Sequence, residues 1–176
     1  MARAGLFLSF TPSETGLLKL YKRSDTGVFY WETWQEGASD HLVHWGELGT
    51  RGETKTVKSS FFKKAESVIQ KEIDRLVVDG YAPILPEDHA ILMIEYAIDQ
   101  MGNSADLVKR HDLEARMNET LGWTGLGACD GGSIGSGTME VCNFVVDFDV
   151  AKAVIEQDLA GTEFSDFTRI YREDVD

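Results

Sequence analysis

Between positions 61 and 77 the apolar residues Phe61, Phe62, Ala65, Val68, Ile69, Ile73, Leu76 and Val77 recur at steps of three and four. This spacing lays one apolar stripe along a helix, so the rest of the chain must offer a matching apolar surface. Ser59 or Ser60 is placed to cap the helix start, and Gly80 to end it in a left-handed turn. The preceding residues follow the shorter rhythm of strands. Residues 16–21, 28–34, 41–48 and 54–58 read as four strands, with turns at Ser24-Asp25-Thr26-Gly27, at residues 36–40 and at Arg51-Gly52. A small antiparallel sheet covered by one long helix is expected.

Pro83 and Pro86 then forbid a helix through YAPILPEDH, residues 81–89, and mark a seam. Charge changes there too. Residues 1–83 carry 11 Lys/Arg and 11 Asp/Glu, whereas residues 84–176 carry 6 and 19, so the whole net charge of −13 belongs to the second part. Two domains are expected, 1–83 and 84–176. The acidic one should repel phosphate backbones and attract basic partners, besides favouring solubility.

The second part reads as a strand at 90–98, a helix at 105–121 capped by Ser104, a glycine-rich stretch GWTGLGACDGGSIGSG, a long strand at 138–148, a helix at 150–160 capped by Asp149, and a last strand at 168–171. With a further strand at 124–130 the order becomes β-α-β-β-α-β, the arrangement of ferredoxin-like folds. The fold class is therefore α+β. Leu92, Ile94, Tyr96 and Ile98, with Cys142, Phe144, Val146 and Phe148, are expected to face the helices. The opposite faces, with Ile91, Met93, Glu95, Met139, Val141, Asn143 and Val145, are too apolar for water. They should pack on the first domain or on a second copy of the chain, as a homodimer.

Trp45-Gly46 within HWGELGTRGE, followed by the helix FFKKAESVIQKEIDRLVVDGY, resembles the WGR domain over residues 15–83. Trp45, Gly46, Leu48, Gly49, Thr50, Gly52, Phe62, Ala65, Gly80 and Tyr81 match that pattern. The resemblance implies a sheet-and-helix module that, in poly(ADP-ribose) polymerases, touches DNA near a break and relays the contact to a separate catalytic domain. At 176 residues this chain leaves no room for that catalytic domain. Glu47 stands at the position of the arginine for which the family is named, and a carboxylate offers a phosphate no donor. Nucleic-acid binding would then rest on the Trp45 ring as a stacking surface, beside a basic strip of Arg51, Lys55, Lys58, Lys63 and Lys64. The plainer reading of the same residues is a core tryptophan and a solvated helix face.

Other chemistry is thinly represented. Gly131-Gly132-Ser133-Ile134-Gly135 matches the G-x-S-x-G elbow of hydrolases, but that elbow needs a strand before it and a helix after it. A hairpin loop carrying Cys129, Asp130 and Ser133 is expected instead, the one stretch, 122–137, where an enzyme could be sought. Cys129 beside Asp130 lacks the adjacent cation that a reactive thiolate needs. Asp147, Asp149 and Glu95 are candidates to meet at one end of the sheet. Two cysteines are too few for a disulfide scaffold or a structural zinc site, and no cofactor is expected. The chain has no run of eighteen apolar residues, and the patch at 5–10 is short for a secretory core, so a cytoplasmic location is expected. The resulting expectation is a non-enzymatic interaction protein for nucleic-acid ends. Its alternative is an acidic, inhibitor- or immunity-type module for a basic protein.

Overall fold

A computed structural model describes residues 16–60 and 64–173. Phe61, Phe62 and the candidate Lys63 lie outside the described residues. The architecture is α+β, with two four-stranded antiparallel sheets and three helices.

The first sheet is a meander of β1 (Leu18–Ser24), β2 (Gly27–Glu36), β3 (Asp40–Glu47) and β4 (Glu53–Val57), paired in chain order. Its register sets Leu20 opposite Trp31 and Trp31 opposite Trp45, which puts the three side chains on one face. Helix α1 (Ala65–Val78) lies on that face, where Ile69, Ile73 and Leu76 meet Leu18, Leu20, Trp31 and Val43. Ser59 serves the helix start from outside it. Lys64 holds the cap position without capping, while the Ser59 hydroxyl accepts a hydrogen bond from the Ala65 amide at 3.0 Å. At the other end Tyr81 N–H donates to the Leu76 carbonyl at 2.9 Å, which takes up one of the last free carbonyls.

The second sheet comprises β5 (Ala90–Ala97), β6 (Gly127–Gly135), β7 (Thr138–Val145) and β8 (Arg169–Glu173), in the order β6-β7-β5-β8. Helix α2 (Ser104–Gly122) joins β5 to β6, and α3 (Phe148–Leu159) joins β7 to β8. Both helix caps sit one or two residues before their expected places. Asn103 caps α2, accepting from the Ala105 and Asp106 amides, and the Asp106 carboxylate accepts from Asn103 N–H at 2.8 Å. Asp147 caps α3 by accepting from Val150 N–H at 3.1 Å, which leaves Asp149 in the first turn, where its charge complements the helix dipole. The glycine-rich stretch is mostly strand, shifted from the expected 124–130 into the expected loop. Residues from Gly127 to Gly135 form a strand against β7, with a bulge between Cys129 and Gly131.

The phase of β7 is the reverse of the expected one. Leu92 pairs with Asn143, Ile94 with Val141 and Tyr96 with Met139, so Met139, Val141 and Val145 face the helices. Cys142 and Phe144 share the open face with Ile91, Met93 and Glu95. Both faces of β7 are apolar enough that alternation alone leaves its phase undecided; pairing with β5 decides it. The first sheet does not cover this open face. Its second face instead seats Tyr21, Tyr30 and Leu48 in the core built from Leu92, Leu113, Leu126, Val146 and Ile155. Tyr21 O–H donates to the Gly125 carbonyl at 3.0 Å, and Gly49 N–H to that of Thr124 at 2.9 Å. Among the described residues no helix is long and apolar enough to cross a membrane.

Candidate binding groove

An open groove of about 750 Å³ runs between the first sheet and the C-terminal half of α1. Its floor is Trp31, 3% exposed, and its walls are Trp45, Leu76, Val78 and Tyr81. β3 delivers Trp45 to the α1 side, half-buried against the small core beneath α1. Lys55, two strand positions from the residue facing Trp45, places its ammonium 5.3 Å from the Trp45 ring centroid. Glu72 of α1 takes that same ammonium on both carboxylate oxygens, at 2.8 and 2.9 Å, and accepts from Trp31 Nε1–H at 3.3 Å. A second aromatic–lysine–acid group closes the groove beyond Tyr81. Lys22 Nζ lies 5.8 Å from the Tyr81 centroid and 2.9 Å from the Asp79 carboxylate. Burial is the largest cause holding the Tyr81 phenol above its usual range, with Asp79 adding to it and Lys22 opposing it. Lys55 and Arg75 balance Glu72 and Asp79 in the lining, so the groove is aromatic and close to neutral.

The expected basic strip does not assemble. Trp45 and Lys55 come together, but Arg51 belongs to the other side of the sheet. Arg51 lines a smaller cleft of about 350 Å³ with Gly49, Thr120, Thr124, Val154, Gln157 and Asp158. Asp158 there is already held by Arg116 at 2.7 Å. Lys58 and Lys64 are exposed at the far end of the sheet, since Trp45 faces Glu53 whereas Val57, beside Lys58, faces His41.

The turn that carries Arg51 has a structural job, and the glycines of HWGELGTRGE explain it. Gly52 has φ +58°, and a Cβ there would lie 2.3 Å from the Trp45 carbonyl oxygen and 2.4 Å from the Tyr30 hydroxyl. Gly49, at φ +88°, lies so close to α3 that a Cβ would meet the Val150 side chain at 2.8 Å. Beneath the turn, His44 Nε2–H donates to the Arg51 carbonyl at 2.7 Å and Tyr30 O–H to that of Thr50 at 3.1 Å. His44 Nδ1 lies 2.7 Å from Glu32, which also pairs with Lys19 at 2.9 Å. Trp123, from the loop after α2, packs edge-on against His44 and Trp34. The segment that reads as a ligand motif is thus also the joint between the two halves.

The second-half candidates point apart. Cys129, opposite Asn143, lies on the helix side of the sheet, Asp130 is the bulge residue, and Ser133, opposite Glu140, lies on the open side with its hydroxyl 3.4 Å from the Glu140 carboxylate. Burial pushes the Cys129 thiol up to about 11, opposed by a hydrogen bond from the Gly131 backbone and helped by Glu114, Cys142 and Asp130. Such a thiol is held in its protonated form at neutral pH. Glu95 is held by Arg169 at 2.6 Å, well along β5 from the end where Asp147 caps α3, so the three acids do not meet. No group of three or more potential metal ligands occurs among the described residues.

Sequence reasoning missed Glu72, Trp31, Arg75 and Asp79 as groove residues, and Lys22 as the partner of Asp79 beside them. A signal existed: Glu72 and Asp79 flank the Ile69–Ile73–Leu76 stripe, where a helix meets the rim of its sheet. Compared with known proteins, the chain matches no family model, no curated protein and no solved structure.

Proposed function

We propose that this chain is a non-enzymatic interaction protein, a WGR-like module joined to a ferredoxin-like domain, whose Trp45 groove takes the end of a nucleic-acid strand. The β-α-β-β-α-β order with all-antiparallel β6-β7-β5-β8 pairing supports the ferredoxin-like half of this reading. The meander crossed by α1, with Trp45 at the rim, supports the WGR-like half. The observation that carries the function is the half-open Trp45 ring beside the Lys55 ammonium, facing an open aromatic groove. A base stacks on such a ring whatever its sequence, and the ammonium meets the neighbouring phosphate. Because the groove is near neutral, it suits an end rather than a length of backbone.

The test is a titration of a fluorescent single-stranded oligonucleotide at low salt. Binding is expected to weaken with salt at a shallow logarithmic slope, about −1 to −2, because only one to three phosphates are neutralised. Trp45→Ala is expected to weaken it about tenfold or more, the loss of one stacked base. Absence of salt-sensitive binding, or an unchanged affinity in Trp45→Ala, overturns the reading.

A second reading, an acidic surface for a basic protein, is favoured by a separate observation. Lys109, Arg110, Arg116, Lys152 and Arg169 each pair with an acid within the second half, which leaves its excess carboxylates facing solvent. In the same assay a lysine-rich peptide, binding where the oligonucleotide does not, would select this reading.

A further inference from the structure

We propose that Glu72 and Asp79 are built-in counter-ions that hold the groove shut against anions, so that a ligand must displace them from Lys55 and Lys22. This rests on the nucleic-acid reading and adds its regulation. The two lysines sit beside the half-buried rings of Trp45 and Tyr81, and neither is free. Lys55 is gripped by both oxygens of Glu72, and Lys22 by one oxygen of Asp79. Both acids come from the last two turns of α1 or its end, so one helix carries both locks. The locks differ in depth. The Glu72 side chain is 17% exposed, whereas that of Asp79 is 61% exposed. The Asp79 pair is screened by water and is the weaker. Glu72 is also pinned by Trp31 Nε1–H from the groove floor, so its carboxylate stays beside Trp45 when Lys55 swings away. An arriving phosphate therefore meets a fixed negative charge at the stacking site, and the groove admits ligands slowly and weakly unless Glu72 is neutralised.

The substitution that isolates the charge is Glu72→Gln. The amide oxygen still accepts from Trp31, so the floor is kept while the charge is removed. With the same oligonucleotide at low salt, Glu72→Gln is expected to bind about five- to tenfold tighter than the unaltered chain, with a steeper salt slope because Lys55 is freed to neutralise a phosphate and so release a cation condensed on the strand. Asp79→Asn is expected to gain about twofold or less, in keeping with its exposure. Indole resonances of Trp31 and Trp45 report that the fold is intact. If the unaltered chain binds and Glu72→Gln binds equally or more weakly with those resonances unchanged, the counter-ion proposal is wrong while the function stands. If neither chain binds, both fall. If Glu72→Gln disturbs the indole resonances, Glu72→Asp must retain the weak binding of the unaltered chain for the proposal to hold, and a gain in that variant overturns it.

Discussion

Gly52 shows how much one residue constrains. Its left-handed backbone lets the chain reverse between β3 and β4 while the Tyr30 hydroxyl and the Trp45 carbonyl approach to within a Cβ's reach. Gly52→Ala is expected to lose roughly 3 kcal/mol or more, through strain at positive φ and a clash with main chain that cannot yield. A fall in the urea midpoint with an unchanged slope would show this; a midpoint within error of the parent would refute it. At this scale the sequence was partly legible. Trp45, Gly46, Gly49 and Gly52 stood out as a group, because glycines around a strand-end tryptophan signal close approach. Their spacing did not reveal what approaches. The partners are Tyr30 and Val150, one across the sheet and one about a hundred residues away. Arg51 misled for the same reason: a turn residue can point to either side, and the His44 hydrogen bond to its carbonyl fixes which.

Elements were the most legible scale where the period was clear. The four strands of the first sheet appear close to their expected bounds, and the described part of the α1 stripe, from Ala65 on, faces the sheet as expected. Helix starts shifted because several acceptors stood side by side. Asn103 outcompetes Ser104, its side chain accepting from two amides while the Asp106 carboxylate accepts from the Asn103 N–H. Asn103→Ala should therefore cost about 1 kcal/mol. Thermal melts of Asn103→Ala and Ser104→Ala test the assignment: the first should fall by several degrees and the second far less, and the reverse order would refute Asn103 as the cap. β6 starts and ends later than the expected 124–130 because glycine lowers strand propensity on average and blurs the strand's bounds. There the pairing with β7, the α2 side chains and the bulge at Asp130 make the strand, with Arg110 Nη1–H reaching the Gly132 carbonyl at 2.5 Å. Glycine is needed at Gly132, where a Cβ would lie 2.4 Å from the Glu140 carbonyl oxygen.

At the scale of the molecule the two sheets are tied by phenols. Tyr21 and Tyr30 belong to the larger core and touch the loop after α2, and burial raises both hydroxyls well above their usual range, as it does Tyr96. Tyr171 is pushed up to about 12 by burial first and then by its hydrogen bond to Glu140. A proton held more tightly in the folded state stabilises fully below the unfolded value of 10.0, and this contribution is lost as pH rises through the folded values. Stability is thus expected to fall from about pH 10 upward, with tyrosinate absorbance at 295 nm rising together with loss of the far-ultraviolet signal. Ionisation of these phenols near pH 10 in a chain that keeps its fold would contradict it. The sequence by itself determined the periods, the acidic second half and the tryptophan at a strand end, because each is local chemistry written along the chain. Tertiary structure alone decided the phase of β7, the side on which Arg51 lies, and the pairing of Lys55 with Glu72, because each depends on which distant backbone supplies the partner.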